Sequence, residues 1–108
     1  MNKLTKRAAL TLCRDMWREM SDHPKWDKED YFYAHGIPFE DQPAEECYIC
    51  EYVEQQGNDC GKCILKWRCG TCSPSEYGDW CNHRTRENAL AVAKLAEDAL
   101  AKMDRRKS

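Results

Sequence analysis

The feature that most constrains this chain is the spacing of its cysteines. The middle of the sequence reads Cys47-Tyr48-Ile49-Cys50, nine residues, Cys60-Gly61-Lys62-Cys63, five residues, Cys69-Gly70-Thr71-Cys72, and, eight residues on, Cys81-Asn82-His83. Two residues between cysteines let both sulfurs reach one ion at about 2.3 Å, with the backbone folded into a tight knuckle that glycine eases. Gly61 and Gly70 sit inside the second and third pairs. Two such pairs close a tetrahedral four-thiolate site, the usual structural zinc arrangement, and with every position filled by protein no place is left for a catalytic water. The simplest grouping for one Zn2+ is Cys47, Cys50, Cys60 and Cys63, because nine residues suffice to turn the chain back. A second ion on Cys69, Cys72, Cys81 and His83 fits a site of three thiolates and one imidazole. Spacing leaves two other arrangements open: interleaved pairs in a cross-braced two-zinc module, and one ion on which Cys72 replaces Cys60.

Metal is favoured over disulfides by composition and context. A chain of 108 residues is long enough for one small domain with a thin core, and eight cysteines exceed what average composition supplies. The stretch from Met1 to Met20 is interrupted by Arg7, Arg14, Asp15, Arg18 and Glu19, which reads against a membrane span and a secretory signal. The expected setting is therefore a reducing cytosol, where paired cysteines point to metal. Cys13 is different: it lies on an apolar helical stripe and reads as a small buried hydrophobe. His23 and His35 have no cysteine or acidic partner at ligand spacing and read as surface or loop residues. Trp67, Tyr77 and Trp80 read as apolar cover for a metal site.

Organisation follows charge and periodicity. Residues 1–28 hold seven basic and four acidic groups, residues 29–59 nine acidic and no basic ones, and residues 60–108 ten basic and six acidic. Leu4, Ala8, Leu12, Met16 and Met20, with Ala9, Cys13 and Trp17 alongside, predict an N-terminal helix within 1–22, stopped by Ser21-Asp22-His23-Pro24. Residues 23–46 form an aromatic and acidic connection in which Tyr31-Phe32-Tyr33 makes a helical turn and Gly36 and Pro38 act as breakers. Residues 47–83 are the zinc-knuckle region, with a short helix predicted from an N-cap at Ser73 through Trp80. Ala89, Val92, Ala93, Ala96, Ala99, Leu100 and Met103 predict a long C-terminal helix from Thr85 to Met103 within 84–108, its basic tail frayed. The expected fold is a single mainly α, zinc-stapled domain, its N- and C-terminal helices packed together around an irregular knuckle region.

The run Cys47-Tyr48-Ile49-Cys50-Glu51-Tyr52, then Cys60-x2-Cys63-Ile64-Leu65-Lys66-Trp67, then Cys72, then Tyr77-x2-Trp80 resembles a family of small zinc-binding proteins of tailed bacteriophages. That family shows Cys-x2-Cys-Glu-Tyr, Cys-x2-Cys-Pro-Leu-x-Trp, a further cysteine and Tyr-x2-Trp between two helices. The resemblance spans about residues 12–103, with specific motifs only in 47–80. This chain has Ile64 where the family has proline, and it carries the extra Cys69. The resemblance implies a phage or prophage origin, the host cytoplasm as the site of action and an accessory role, and it implies no activity.

Three functions compete on the residues. A non-enzymatic zinc-stapled factor that binds and modulates a host or viral protein agrees with the closed metal site and with the acidic stretch 29–59, which suits a basic partner surface. The alternative is a nucleic-acid-binding zinc module acting in transcription or DNA metabolism through Lys62, Lys66, Trp67, Arg68, Arg84, Arg86 and the tail Arg105-Arg106-Lys107. A net charge of −2 and a pI of about 5.9 place it second. An enzyme of the HNH nuclease type has only Asn82-His83 to recommend it, since no histidine follows His83, and Gly-rich phosphate loops and Gly-x-Ser-x-Gly elbows are missing. The chain reads as no enzyme, and as one that does not enter a membrane.

Overall fold

Apolar periodicity and well-placed caps turn most of this chain into helix. The computed structural model describes residues 3–43, 46–58, 63–65 and 75–107, and among them the regular structure is helical, with no strand. Helix α1, Lys6–Ser21, starts at Thr5, whose hydroxyl accepts the Ala8 N–H at 3.1 Å. Its buried stripe is Ala9, Leu10, Cys13, Met16, Trp17 and Met20. The expected face supplies five of these six, but its row of four-residue steps drifts about 40° around the axis at each step. Leu4, Ala8 and Leu12 are consequently half-buried, and Leu10, outside that row, is fully buried.

Helix α2, Lys28–Ala34, is longer than the single turn expected. Asp27 caps it reciprocally: the Asp30 N–H donates to Asp27 and the Asp27 N–H to Asp30, each at 3.0 Å. The helix ends on Gly36 at φ 65°, where the Gly36 N–H reaches the Tyr33 carbonyl and the Ile37 N–H the Phe32 carbonyl. Helix α3, Tyr48–Gln55, ends the same way on Gly57 at φ 77°, with bonds from Gly57 to Glu54 and from Asn58 to Val53. Both are left-handed glycine stops that satisfy carbonyls at the helix end. A 3-10 turn, Phe39–Asp41, lies between them.

Region 47–83 is therefore not irregular throughout. It carries α3, held by buried Tyr48, Ile49 and Val53, and α4, Glu76–Asn82, held by buried Trp80. The cap of α4 is Ser75 rather than Ser73; Ser73 and Pro74 lie outside the described residues.

Helix α5, Arg86–Lys107, buries Ala89, Val92, Ala93, Ala96 and Leu100, the stripe expected from its sequence. It runs on through the tail that was expected to fray. Arg105 is a good helix former, and its positive charge suits the negative end of the helix dipole. Helices α1 and α5 are antiparallel, as their ion pairs show in reverse order: Arg7 with Asp104, Arg18 with Glu97 and Asp22 with Arg86. These pairs are largely exposed and set orientation more than stability. Alanine on the inner face of α5 lets the two helices approach closely, and α2, α3 and α4 complete one apolar core around them.

None of the described helices is long and apolar enough to cross a membrane.

Candidate metal centre

The chain enters α3 through Glu46, a non-glycine residue at φ 52°, a conformation that costs an L-residue roughly 1–2 kcal/mol. The next residue, Cys47, is the N-cap of α3, and its sulfur accepts the Cys50 N–H at 3.4 Å. This is what a Cys-x2-Cys knuckle requires: the helix start turns Cys50 back toward Cys47 and a backbone donor faces the sulfur. A hydrogen bond from the Cys50 thiol is the largest of the effects that lower the Cys47 thiol to about 6. Burial opposes it, and the Cys50 and Ile49 amides and the charge of Lys28 reinforce it. The lowered value favours the thiolate, the form that binds metal.

Cys47 and Cys63 are both partly buried against the core that contains Cys13. Burial pushes the Cys13 thiol of α1 well up, and the charges of Cys47 and Cys63 add to the rise while Lys28 opposes it. Cys13 thus has the buried position expected of it, 2% exposed. Cys60 lies outside the described residues, so the set Cys47, Cys50, Cys60 and Cys63 is described at three of its four positions. Among the described residues, no three His, Cys, Asp or Glu side chains lie close enough together to hold one ion. The residue chemistry fits zinc: soft sulfurs, one already favoured as thiolate, with a backbone N–H donor behind it.

Of the second set, Cys69 and Cys72 lie outside the described residues. Cys81 is exposed on α4, and His83 is the exposed C-cap of that helix, its carbonyl accepting the Asn88 side-chain amide at 2.8 Å. Tyr77 and Trp80, expected to cover metal, pack against α1: the Trp80 ring stands 4.8 Å from that of Trp17, edge to face, and the Tyr77 ring 6.1 Å from it.

No protein-family profile, curated protein or solved structure matches this chain.

The remaining candidates are dispersed. His35 pairs with Glu19 at 2.6 Å and His23 stacks on Trp26 at 3.8 Å, both exposed at the surface. Arg84 stands over the Trp80 ring at 4.7 Å and Arg86 binds Asp22, so two of the cations proposed for phosphate already engage protein groups. Lys62, Lys66, Trp67 and Arg68 lie outside the described residues.

Sequence reasoning missed one group. Lys28, in the first turn of α2, is only 9% exposed, and its ammonium lies over the Tyr77 ring at 4.3 Å. Burial alone would lower its pKa, yet the Tyr77 hydroxyl and the charges of Tyr77, Cys47 and Glu46 outweigh burial and raise it. The signal was present: Lys28, Tyr31 and Phe32 share one face of α2, so the pattern puts a lysine at a core position.

Proposed function

We propose that this chain is a phage-type accessory protein that acts in the host cytoplasm, stapled by one structural zinc on Cys47, Cys50, Cys60 and Cys63, and that it binds and modulates a host or viral protein. The observation that carries the reading is a surface. Tyr33 and Phe39 are 89% and 86% exposed, the large hydrophobic side chains that stand out in water among the described residues. Glu29, Asp30, Glu40 and Asp41 surround them in sequence and are exposed too, and no basic residue occurs from 29 to 59. Aromatic anchors within an acidic rim suit a basic protein surface with an apolar pocket. The second set, Cys69, Cys72, Cys81 and His83, offers a further zinc position. The reading is non-enzymatic, because four protein thiolates leave zinc no place for a reacting water.

The experiment compares wild type with Y33A/F39A and with E40Q/D41N as bait in lysate of infected and uninfected host cells. Both variants change exposed positions and should keep the helical circular dichroism. A partner held by wild type and lost from both variants supports the reading. Equal recovery by all three baits refutes it, and binding of labelled DNA or RNA by wild type at physiological salt would favour the nucleic-acid module instead.

A further inference from the structure

Carboxylates along the α1–α5 pair are answered by neighbouring groups: Asp15, Asp22, Glu97, Asp98 and Asp104 pair with arginine or lysine, and Glu19 with His35. Around Tyr33 and Phe39 that pattern stops. Among the ion pairs of the described residues none includes Glu29, Asp30, Glu40 or Asp41, and the sequence has no lysine or arginine from 29 to 59. Helical spacing sets Glu29 and Asp30 one turn before Tyr33 on the outer face of α2, opposite buried Lys28, Tyr31 and Phe32. Phe39 opens the 3-10 turn that carries Glu40 and Asp41. The stop at Gly36 folds the chain back, the Ile37 N–H reaching the Phe32 carbonyl at 2.9 Å, and the short connection keeps the Tyr33 and Phe39 backbones within about 20 Å of each other.

Carboxylates interleaved with unpacked rings repeat the two chemistries that a single-stranded nucleic acid offers a protein, anionic groups and π faces. Grooves that bind single strands answer them with lysine and arginine along the backbone path and with aromatic or guanidinium groups against the bases. A partner that holds its ligand by phosphate contacts alone has no use for the rings. One that offers only an apolar pocket would leave the carboxylates uncompensated in the interface. We propose that the outer face of α2 and the Phe39 turn dock in the single-strand-binding groove of a nucleic-acid-binding protein and take the place of the nucleic acid there, a partner class that narrows the protein-binding reading above and rests on it.

The test passes host-cell lysate over single-stranded DNA cellulose at physiological salt and elutes it with purified wild type, Y33A/F39A, E29Q/E40Q/D41N, or polyglutamate at matched charge. Wild type is expected to release a protein that then leaves a sizing column in one complex with it. Either variant, and polyglutamate, should need at least about ten-fold more material for the same release, the weight of one lost stacking or charge contact. Both variants change exposed positions away from the Asp27–Asp30 cap, and unchanged helical circular dichroism assigns the loss to the surface. Release by Y33A/F39A or by polyglutamate as effective as that by wild type overturns the inference, because charge alone then explains it. Retention of wild type itself on the DNA overturns it in favour of direct nucleic-acid binding. No release, while the bait experiment above still finds a partner, overturns this inference and spares the protein-binding reading; no release and no partner there overturns both.

Discussion

Trp17 joins the α1–α5 pair to α4, and its removal gives a sharp test of how that part of the molecule is held. It is 3% exposed, and its ring meets Trp80 edge to face at 4.8 Å between centroids, with the planes at 86°. Trp80 is itself 4% exposed. Replacing either by leucine leaves a cavity the surroundings fill only in part, which places each loss at about 2–4 kcal/mol, below the full cost of truncation to alanine. The edge-to-face pair adds about 0.5–1.5 kcal/mol beyond burial. W17L and W80L together should therefore cost about 1 kcal/mol less than the sum of the two single changes, because the pair can be lost only once. Urea unfolding followed by far-UV circular dichroism reads this directly. With a slope of about 1–3 kcal/mol per molar, each single change moves the midpoint by about 1–2 M. Additivity within about 0.3 kcal/mol, or single losses below about 1 kcal/mol, would refute the packing described for α1 and α4.

Gly36 and Gly57 sit at φ 65° and 77° with nothing within 4 Å of a built Cβ, so alanine at either costs backbone strain alone, about 1–2 kcal/mol by urea unfolding, and asparagine should recover part of it. Burial, aided by the charges of Tyr48, Glu19 and Asp15, pushes Tyr31 up to about 12, above the value near 10 of an unfolded chain. Its neutral form is thus favoured by folding: that contribution is complete below pH 10 and is lost as pH rises toward 12. In Y31F the alkaline fall in stability should be shallower than in wild type, and an unchanged profile would contradict this burial. Chelation of zinc should raise amide exchange in α3 while sparing the middle of α1 and α5, whose contacts are an apolar stripe and three ion pairs; loss of protection throughout would show the helix pair to depend on metal.

The helical class and the two end helices were legible because their signals are redundant. In α5 the small apolar positions recur over about four turns without a glycine or proline, and the buried residues are the ones that pattern selects. In α1 the same kind of signal gave the helix and most of its buried face, missing Leu10 and placing Leu4, Ala8 and Leu12 too deep, since rows of four look continuous in a sequence and drift on a cylinder. Helix α3 was hidden by its cysteines: Cys47 and Cys50 read as knuckle residues, although Cys47 also serves as an N-cap and Gly57 as a stop. The candidate centre was legible as a set of sulfurs and not as an environment. Cys13, Lys28 and Tyr77, which bear on it electrostatically, lie on α1, α2 and α4, 19 to 34 positions from Cys47, separations that no local spacing rule connects.

That convergence bears on why so short a chain keeps a lysine in its interior. Tyr77 is held against Trp17 by the aromatic cluster, and Lys28 is held at the start of α2 by the Asp27–Asp30 cap. Neither can swing away from the other without breaking contacts that belong to the core itself. A methionine at position 28 would satisfy the apolar demand of that face of α2 at no desolvation cost. The charge is therefore better accounted for by the Tyr77 ring beneath the ammonium and by Glu46, which lines the same cleft, than by the packing of α2.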